Sequence, residues 1–243
     1  MFALSPPEPG RPAPEWRVEP APVSHASAMA TMEARAADIA ARKAAELIWL
    51  LEHPAVITGG TSADARELVE PGRFPVVETG RGGRYTYHGP GQRVVYAMID
   101  LAARGRDVRH YVSALENWAI TALADFGVQA FTSDAGVGIW VKTATGEAKI
   151  GAIGVRVRRW VTLHGMAINI TTDLSAYGAI IPCGIADRGV CRLVDLAPGA
   201  CMADLDAALA RHAPAFLSGI LSPQDMSPSQ QNMKSLEEPS VSG

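Results

Sequence analysis

The run Lys149-Ile-Gly-Ala-Ile-Gly-Val-Arg-Val-Arg-Arg-Trp-Val-Thr-Leu-His-Gly-Met-Ala-Ile-Asn-Ile170 reads as two neighbouring strand-like segments, 149–157 and 160–170. In the first, strand alternation sets Arg156 and Arg158 on one face and Val155 and Val157 on the other. A third strand-like segment, 137–142, precedes them. Further out, 93–99 and 75–78 add two more strands, and 46–51 is a short apolar run closed by Pro54, the pattern of a buried strand. Between these lie helical patterns. Residues 24–43 are mostly Ala, Met, Glu and Arg, with Ser24 or Ser27 placed to cap them. Asp107 opens a second helix, with Tyr111, Leu115, Trp118 and Leu123 near helical spacing and Gly127 as its stop. A third, amphipathic helix is expected over 202–217. Helices and strands are interspersed without a strict βαβ repeat. The expectation is one α/β (α+β) domain built on a mixed sheet flanked by helices.

Composition narrows the class. The chain has 243 residues, 48% of them hydrophobic and 19% charged, enough to bury a sizeable core. With 22 basic against 25 acidic residues it is too balanced for a general nucleic-acid binder. No run of eighteen apolar residues exists, which argues against a membrane span. Residues 1–22 carry proline at 6, 7, 9, 12, 14, 20 and 22 and lack the pattern of a signal peptide. Residues 222–243 are rich in Ser, Gln, Pro and Glu. Both ends read as flexible tails around a single domain at 23–221. Three cysteines make no disulfide scaffold, so a reducing, cytoplasmic setting is expected.

Three segments are suited to chemistry. Thr79-Gly-Arg-Gly-Gly-Arg-Tyr-Thr-Tyr-His-Gly-Pro-Gly-Gln92 places five glycines where backbone amides, Arg81 and Arg84 can hold an anion or a carbonyl oxygen, with His88 as a hydrogen-bonding group. A long hairpin with solvated arginines is the alternative. No Gly-Lys-Ser/Thr follows, so it is not a nucleotide-binding P-loop. Pro182-Cys-Gly-Ile185 puts Cys183 on a sharp turn, where exposure and a cationic neighbour make a thiolate nucleophile; the alternative is an inert buried thiol. Cys191 and Cys201 have weaker contexts, and their spacing matches no zinc module. Lys149, at a strand start beside glycines, reaches either into a pocket or to solvent.

Arg81-Gly-Gly-Arg-Tyr-Thr-Tyr-His-Gly-Pro-Gly-Gln92, Lys149-Ile-Gly-Ala-Ile-Gly-Val155, Leu163-His-Gly-Met-Ala-Ile-Asn169 and Pro182-Cys-Gly-Ile185 resemble, in that order, the lipoyl(octanoyl) transferase family. Leu51-Glu-His-Pro54 and Thr58-Gly-Gly60 resemble its early strand and loop, and the similarity runs from about Trp16 to Leu217. The resemblance implies the fold of the biotin and lipoate protein ligases. It implies transfer of an octanoyl (or lipoyl) group from octanoyl-acyl carrier protein to a lysine of lipoyl domains, those of 2-oxoacid dehydrogenase E2 subunits and the glycine cleavage H protein. Cys183 would form the acyl thioester and Lys149 would be its partner. Arg81, Gly82, Gly83, Arg84, Tyr85, Thr86, Tyr87 and His88, with Ala152, Ile153, Gly154, Gly165, Met166 and Ala167, would line the substrate site. No cofactor, metal, nucleic acid or membrane is implied. The chain departs from the family at Cys191-Arg192, where a Thr-Ser pair is common, and at Ile57, where an aromatic is frequent.

Thioester exchange followed by amide formation needs no ATP, in keeping with the missing nucleotide loop. Amide donors from the glycines around Cys183 or in the 81–91 loop would face the oxyanion. An eight-carbon chain needs an apolar slot, for which Ile153, Met166, Ile168 and Ile180 are the candidates. Two rivals stand beside this reading: an ATP-dependent lipoate or biotin ligase on the same fold, and a carrier-protein binder without turnover.

Overall fold

The computed structural model describes residues 4, 11–181 and 189–221. Its main sheet has eight strands: β1 (Glu15–Val18), β2 (Leu47–Leu51), β6 (Gln92–Met98), β10 (Val161–Asn169), β9 (Gly146–Arg158), β8 (Gly136–Thr143) and β7 (Ala130–Ser133) in that spatial order, with β11 (Gly189–Val190) added beside β9. β1 runs parallel to β2 and β11 parallel to β9, while the other pairs are antiparallel. A second sheet joins β4 (Val76–Glu78), β3 (Val56–Gly59) and β5 (Thr86–His88). The helices are α1 (His25–Ala40), α2 (Val108–Ala124), the short α3 (Leu193–Leu196) and α4 (Met202–Gly219). The mixed sheet flanked by helices is as expected.

Local chemistry sets the element ends. The Ser24 hydroxyl accepts from the Ser27 amide to open α1, and Asp107 accepts from the His110 amide to open α2. Gly127, at φ +73°, supplies the left-handed residue after α2. The main sheet is buried on both faces, which is why β2 is a continuous apolar run. Ile48 and Leu50 join the larger core with α2 and α4, whereas Leu47, Trp49 and Leu51 join a smaller core with Ala28, Met32, Ala36 and Ile39 of α1. On the α2–α4 side, Trp118 stacks on Phe216 with ring centroids 4.5 Å apart.

Two expectations need correction. Residues 15–18, read as part of a flexible tail, pair with β2 from Glu15↔Leu47 to Val18↔Leu50, and Leu4 is buried in the larger core. Proline-rich composition argues against a helix but not against an edge strand, whose outer N–H groups need no partner. The strand expected over 75–78 is β4, Val76–Glu78, exposed and part of the second sheet. The glycine-rich run 79–92 is not one loop, since its centre is β5, paired antiparallel with β3 from Val56↔His88 to Thr58↔Thr86. The tail expected at 222–243 lies outside the described residues, as do Cys183 and its neighbours at 182–188.

Candidate active site

On the α1 side, the two central strands carry almost no side-chain volume at one level. Gly154 pairs with Gly165 and Ala152 with Ala167, so four small residues make a floor. A Cβ on Gly165 would lie 2.3 Å from the Val95 carbonyl oxygen, so glycine is required there by the close approach of β6. Above this floor is a cavity of about 300 Å³, walled by His25, Thr58, Arg81, Thr86, His88, Val94, Tyr96, Lys149 and His164 among others. That volume is at the small end for ligand pockets and suits one narrow chain.

Lys149 is buried against this space, and the reason is a bulge in its own strand, where Ile150 is the extra residue. The β8–β9 register shifts between Ile139 and Trp140, just after Gly138 at φ +141°. The Gly138 amide turns inward to the Glu116 carboxylate of α2 at 3.0 Å, which aims the Val137 carbonyl at Lys149. Lys149 Nζ donates to that carbonyl at 3.0 Å and lies 4.7 Å from the Trp140 ring centre. A Cβ on Gly138 would stand 3.1 Å from Nζ, so a side chain at 138 would crowd the amine.

Arg81 does not reach solvent. Its guanidinium donates to the Thr58 carbonyl at 2.6 Å, the Thr58 hydroxyl at 2.8 Å, and the Gly82 and Arg84 carbonyls at 3.0 Å. It fastens the glycine loop onto β3 while presenting positive charge to the cavity. Arg84 pairs with Glu67. The Gly82 amide donates to the Val155 carbonyl, pinning the loop to β9.

His25, His88 and His164 line the cavity, and His53 packs behind them. His53 Nδ1 donates to the Val23 carbonyl at 2.6 Å, so its Nε2 accepts from the Tyr96 hydroxyl at 2.7 Å. The ring centroids of His53 lie 5.4 Å from His25 and 5.8 Å from His88. His88 Nδ1 donates to Gln92 Oε1 at 2.7 Å, and Gln92 in turn donates to Asn169 and Tyr177. Burial is the leading cause that lowers all four imidazoles, with His53 at about 4 and His164 at about 3; the Arg81 charge adds to the effect at His25 and His164. These rings are neutral at pH 7. His164 holds a left-handed backbone at φ +64°, and its Nε2 is buried with no hydrogen-bond partner.

Of the residues expected to line the site, Arg81, Gly83, Arg84, Thr86, His88, Lys149, Ala152, Ile153, Gly154, Gly165, Met166 and Ala167 do line the cavity. Gly82, Tyr85 and Tyr87 do not. Alternation along β5 turns the two tyrosines away, into a small core with Ile57, Tyr177 and Ile180. Ile180 is therefore no part of the apolar slot, and Ile168 belongs to the larger core beneath the sheet. Cys191 is buried, and burial pushes its thiol up to about 12, far from a usable nucleophile. Cys201 is exposed beside Asp204. Sequence reasoning missed His25, His53, Tyr96, His164 and Glu116. His53 and His164 lay inside quoted motifs; His25 and Glu116 carried no local signal. Among the described residues no cluster of three or more metal-ligating side chains is present, and no helix is long and apolar enough to cross a membrane.

This layered fold, with a small-floored cavity under a fastened glycine loop, defines a class. Residues 24–213 match the family model of the lipoyl protein ligase A/B catalytic domain, and the chain belongs to that family. Among its relatives is an octanoyltransferase of Sphingopyxis alaskensis, 57% identical over 210 residues, which cover 86% of this chain and 96% of that one. Another, an octanoyltransferase of Maricaulis maris, is 58% identical over 198 residues, 80% of this chain and 88% of that one. The solved bipartite lipoate protein ligase of Thermoplasma acidophilum shares the fold, with a TM-score of 0.62, 16% identity and 91% of each chain covered.

Proposed function

We propose that this chain is an octanoyltransferase that moves an octanoyl group from acyl carrier protein onto a lysine of lipoyl domains in the cytoplasm, with Cys183 carrying the acyl group between them. The observation that carries the reading is Lys149: a buried amine, aimed by a bulged strand at the rim of a cavity sized for one chain. β11, where the described chain resumes at Gly189, pairs Val190 with Lys149.

In the first half-reaction the Cys183 thiolate attacks the thioester carbonyl, the new C–S bond forms, and the carrier's thiol leaves. One thioester replaces another, near energetic balance. In the second, the amine of the acceptor lysine attacks the acyl-cysteine, a C–N bond forms, and the Cys183 sulfur leaves and takes a proton. The amide is the more stable product and drives the transfer. An unassisted thiol of pKa about 8.5 is only a few per cent thiolate at pH 7. Lys149 favours the thiolate, and the small floor leaves room for the acyl chain, with about 0.8 kcal/mol available per buried methylene. Arg81, Gly83, Thr86 and His88 wall that site, and Ala152, Gly154, Gly165 and Ala167 form its floor.

Intact mass spectrometry after mixing with octanoyl-acyl carrier protein is the test. The chain should gain one octanoyl adduct, Cys183→Ala should gain none, and Cys191→Ala should gain it as the parent does. Transfer only from free octanoate with ATP would overturn the reading in favour of a ligase.

A further inference from the structure

The β9–β10 hairpin ends in Arg158-Arg159-Trp160, three exposed residues. Arg159 at φ +51° and Trp160 at φ +63° both hold left-handed backbone, the conformation of a tight hairpin turn that Asn-Gly adopts with least strain. Left-handed backbone is disfavoured for large L-residues, so this turn keeps two bulky side chains against local preference. The tip is held rigidly: the Leu101 amide donates to the Trp160 carbonyl at 2.8 Å, and Asp100 bridges Val161. The Arg106 guanidinium lies 5.6 Å from the Trp160 ring centre, and Trp160 stays 39% exposed. Arg156, further down the strand, pairs with Glu33 of α1. Arg106, Arg158 and Arg159 make no ion pair among the described residues. Arg158 and Arg159 also edge a shallow groove against Ala36, Ala37 and Ala40 of α1.

We propose that this arginine-tryptophan tip is the docking surface for the acidic carrier protein that delivers the acyl group. The inference rests on the octanoyl-transfer reading above and assigns one partner to one surface. Three guanidinium groups that make no ion pair among the described residues, set around an exposed indole, suit a partner whose surface is rich in carboxylates. Geometry selects the donor over the acceptor. Arg158 is four residues beyond the cavity-floor residue Gly154 on the same strand face, about 13 Å at strand rise. A donor that presents its thioester on a long flexible arm spans that gap, whereas the acceptor's lysine has only a four-carbon stem and must dock close to the cavity mouth.

The experiment measures transfer by the full chain and by Arg158→Glu/Arg159→Glu, from octanoyl-acyl carrier protein and from octanoyl-N-acetylcysteamine, a small thioester with no carrier. The double variant should raise KM for the carrier about tenfold with kcat unchanged and flatten the salt dependence of kcat/KM. Its rate from the small thioester and its KM for the lipoyl domain should match the parent. Arg211→Glu, a single charge reversal on α4, should alter none of these. A second variant, Arg159→Asn/Trp160→Gly, should raise Tm by relaxing the turn and still raise KM for the carrier. Unchanged carrier KM at low salt overturns the proposal, as does a KM increase confined to the lipoyl domain, or an equal loss with the small thioester. Failure of the parent chain with both donors would count against the octanoyl-transfer reading itself.

Discussion

The two faces of the main sheet solve different problems. Toward α2 and α4, β8, β9 and β10 present Ile139, Val141, Ile150 and Ile168, and each is buried in the larger core. Toward α1, the same central strands present Ala152, Gly154, Gly165 and Ala167, and the volume those residues give up becomes the cavity. The first face is packed for stability, as close-packed interiors are. The second leaves buried polar atoms without partners, His164 Nε2 and His25 Nδ1, and a histidine in left-handed backbone. His164, strained and unpartnered, lies on the side where chemistry is expected, and the packed opposite face holds the sheet in place.

The largest effect should come from the rim of the cavity. Lys149→Ala should lower octanoyl transfer by roughly 10²–10⁴-fold while circular dichroism and Tm stay near those of the parent. Lys149→Arg keeps the charge without ready proton transfer, so recovered activity there identifies thiolate stabilisation as the role of the lysine. An alkylation pH profile of Cys183 that is unchanged in Lys149→Ala would break the pairing of the two residues.

Next, one substitution on each face should separate their purposes. Ile150→Ala, on the packed face, should cost about 2–5 kcal/mol in denaturant unfolding. Ala152→Leu, on the cavity floor, should leave stability within about 1 kcal/mol and lower octanoyl transfer at least about tenfold, with butanoyl transfer spared, because each methylene excluded forfeits about 0.8 kcal/mol. Equal rates for the two acyl lengths in Ala152→Leu would show that the chain lies elsewhere.

Acid should unfold the cavity side first. His53 and His164 titrate at about 4 and about 3 when folded, below the 6.5 of an unfolded histidine. The unfolded state therefore binds more protons below pH 6.5, and stability rises with pH through that window. It is fully present above pH 6.5 and falls as pH drops toward 4, by about 1.4 kcal/mol per pH unit for each histidine so affected. Chemical denaturation at pH 7 and pH 5 checks this; equal stability at both would refute it.

The smallest effect should come from Glu116, which acts only through the bulge. Glu116→Leu removes the acceptor of the buried Gly138 amide and should cost about 1–3 kcal/mol and slow transfer severalfold. Glu116→Gln keeps an acceptor oxygen and should restore the rate, an outcome that a purely steric role would not produce.

Local patterns were legible where one short-range rule dominates. Ser24 and Asp107 announce helix starts because a side chain three residues away satisfies an amide, and the apolar run in β2 announces burial because both of its faces are covered. β3 and β5 were not read as strands because each is only three or four residues long and is defined by its partner. β1 was hidden by prolines that say nothing against an edge. For the site, Lys149 and the glycine loop stood out by residue type, yet Tyr85 and Tyr87 turned out to face a core, since the register of β5 decides which side of a strand meets the cavity.

The sequence by itself determined the family, the order of its chemical motifs and most of the long elements, since these depend on residue identity and near-neighbour spacing. Only the tertiary structure decided that Lys149 is buried, that Arg81 is a fastener, and that His25, Tyr96 and His164 line one cavity. Those facts depend on contacts between residues tens of positions apart, and on a β-bulge and a sheet register that no local run of residues encodes.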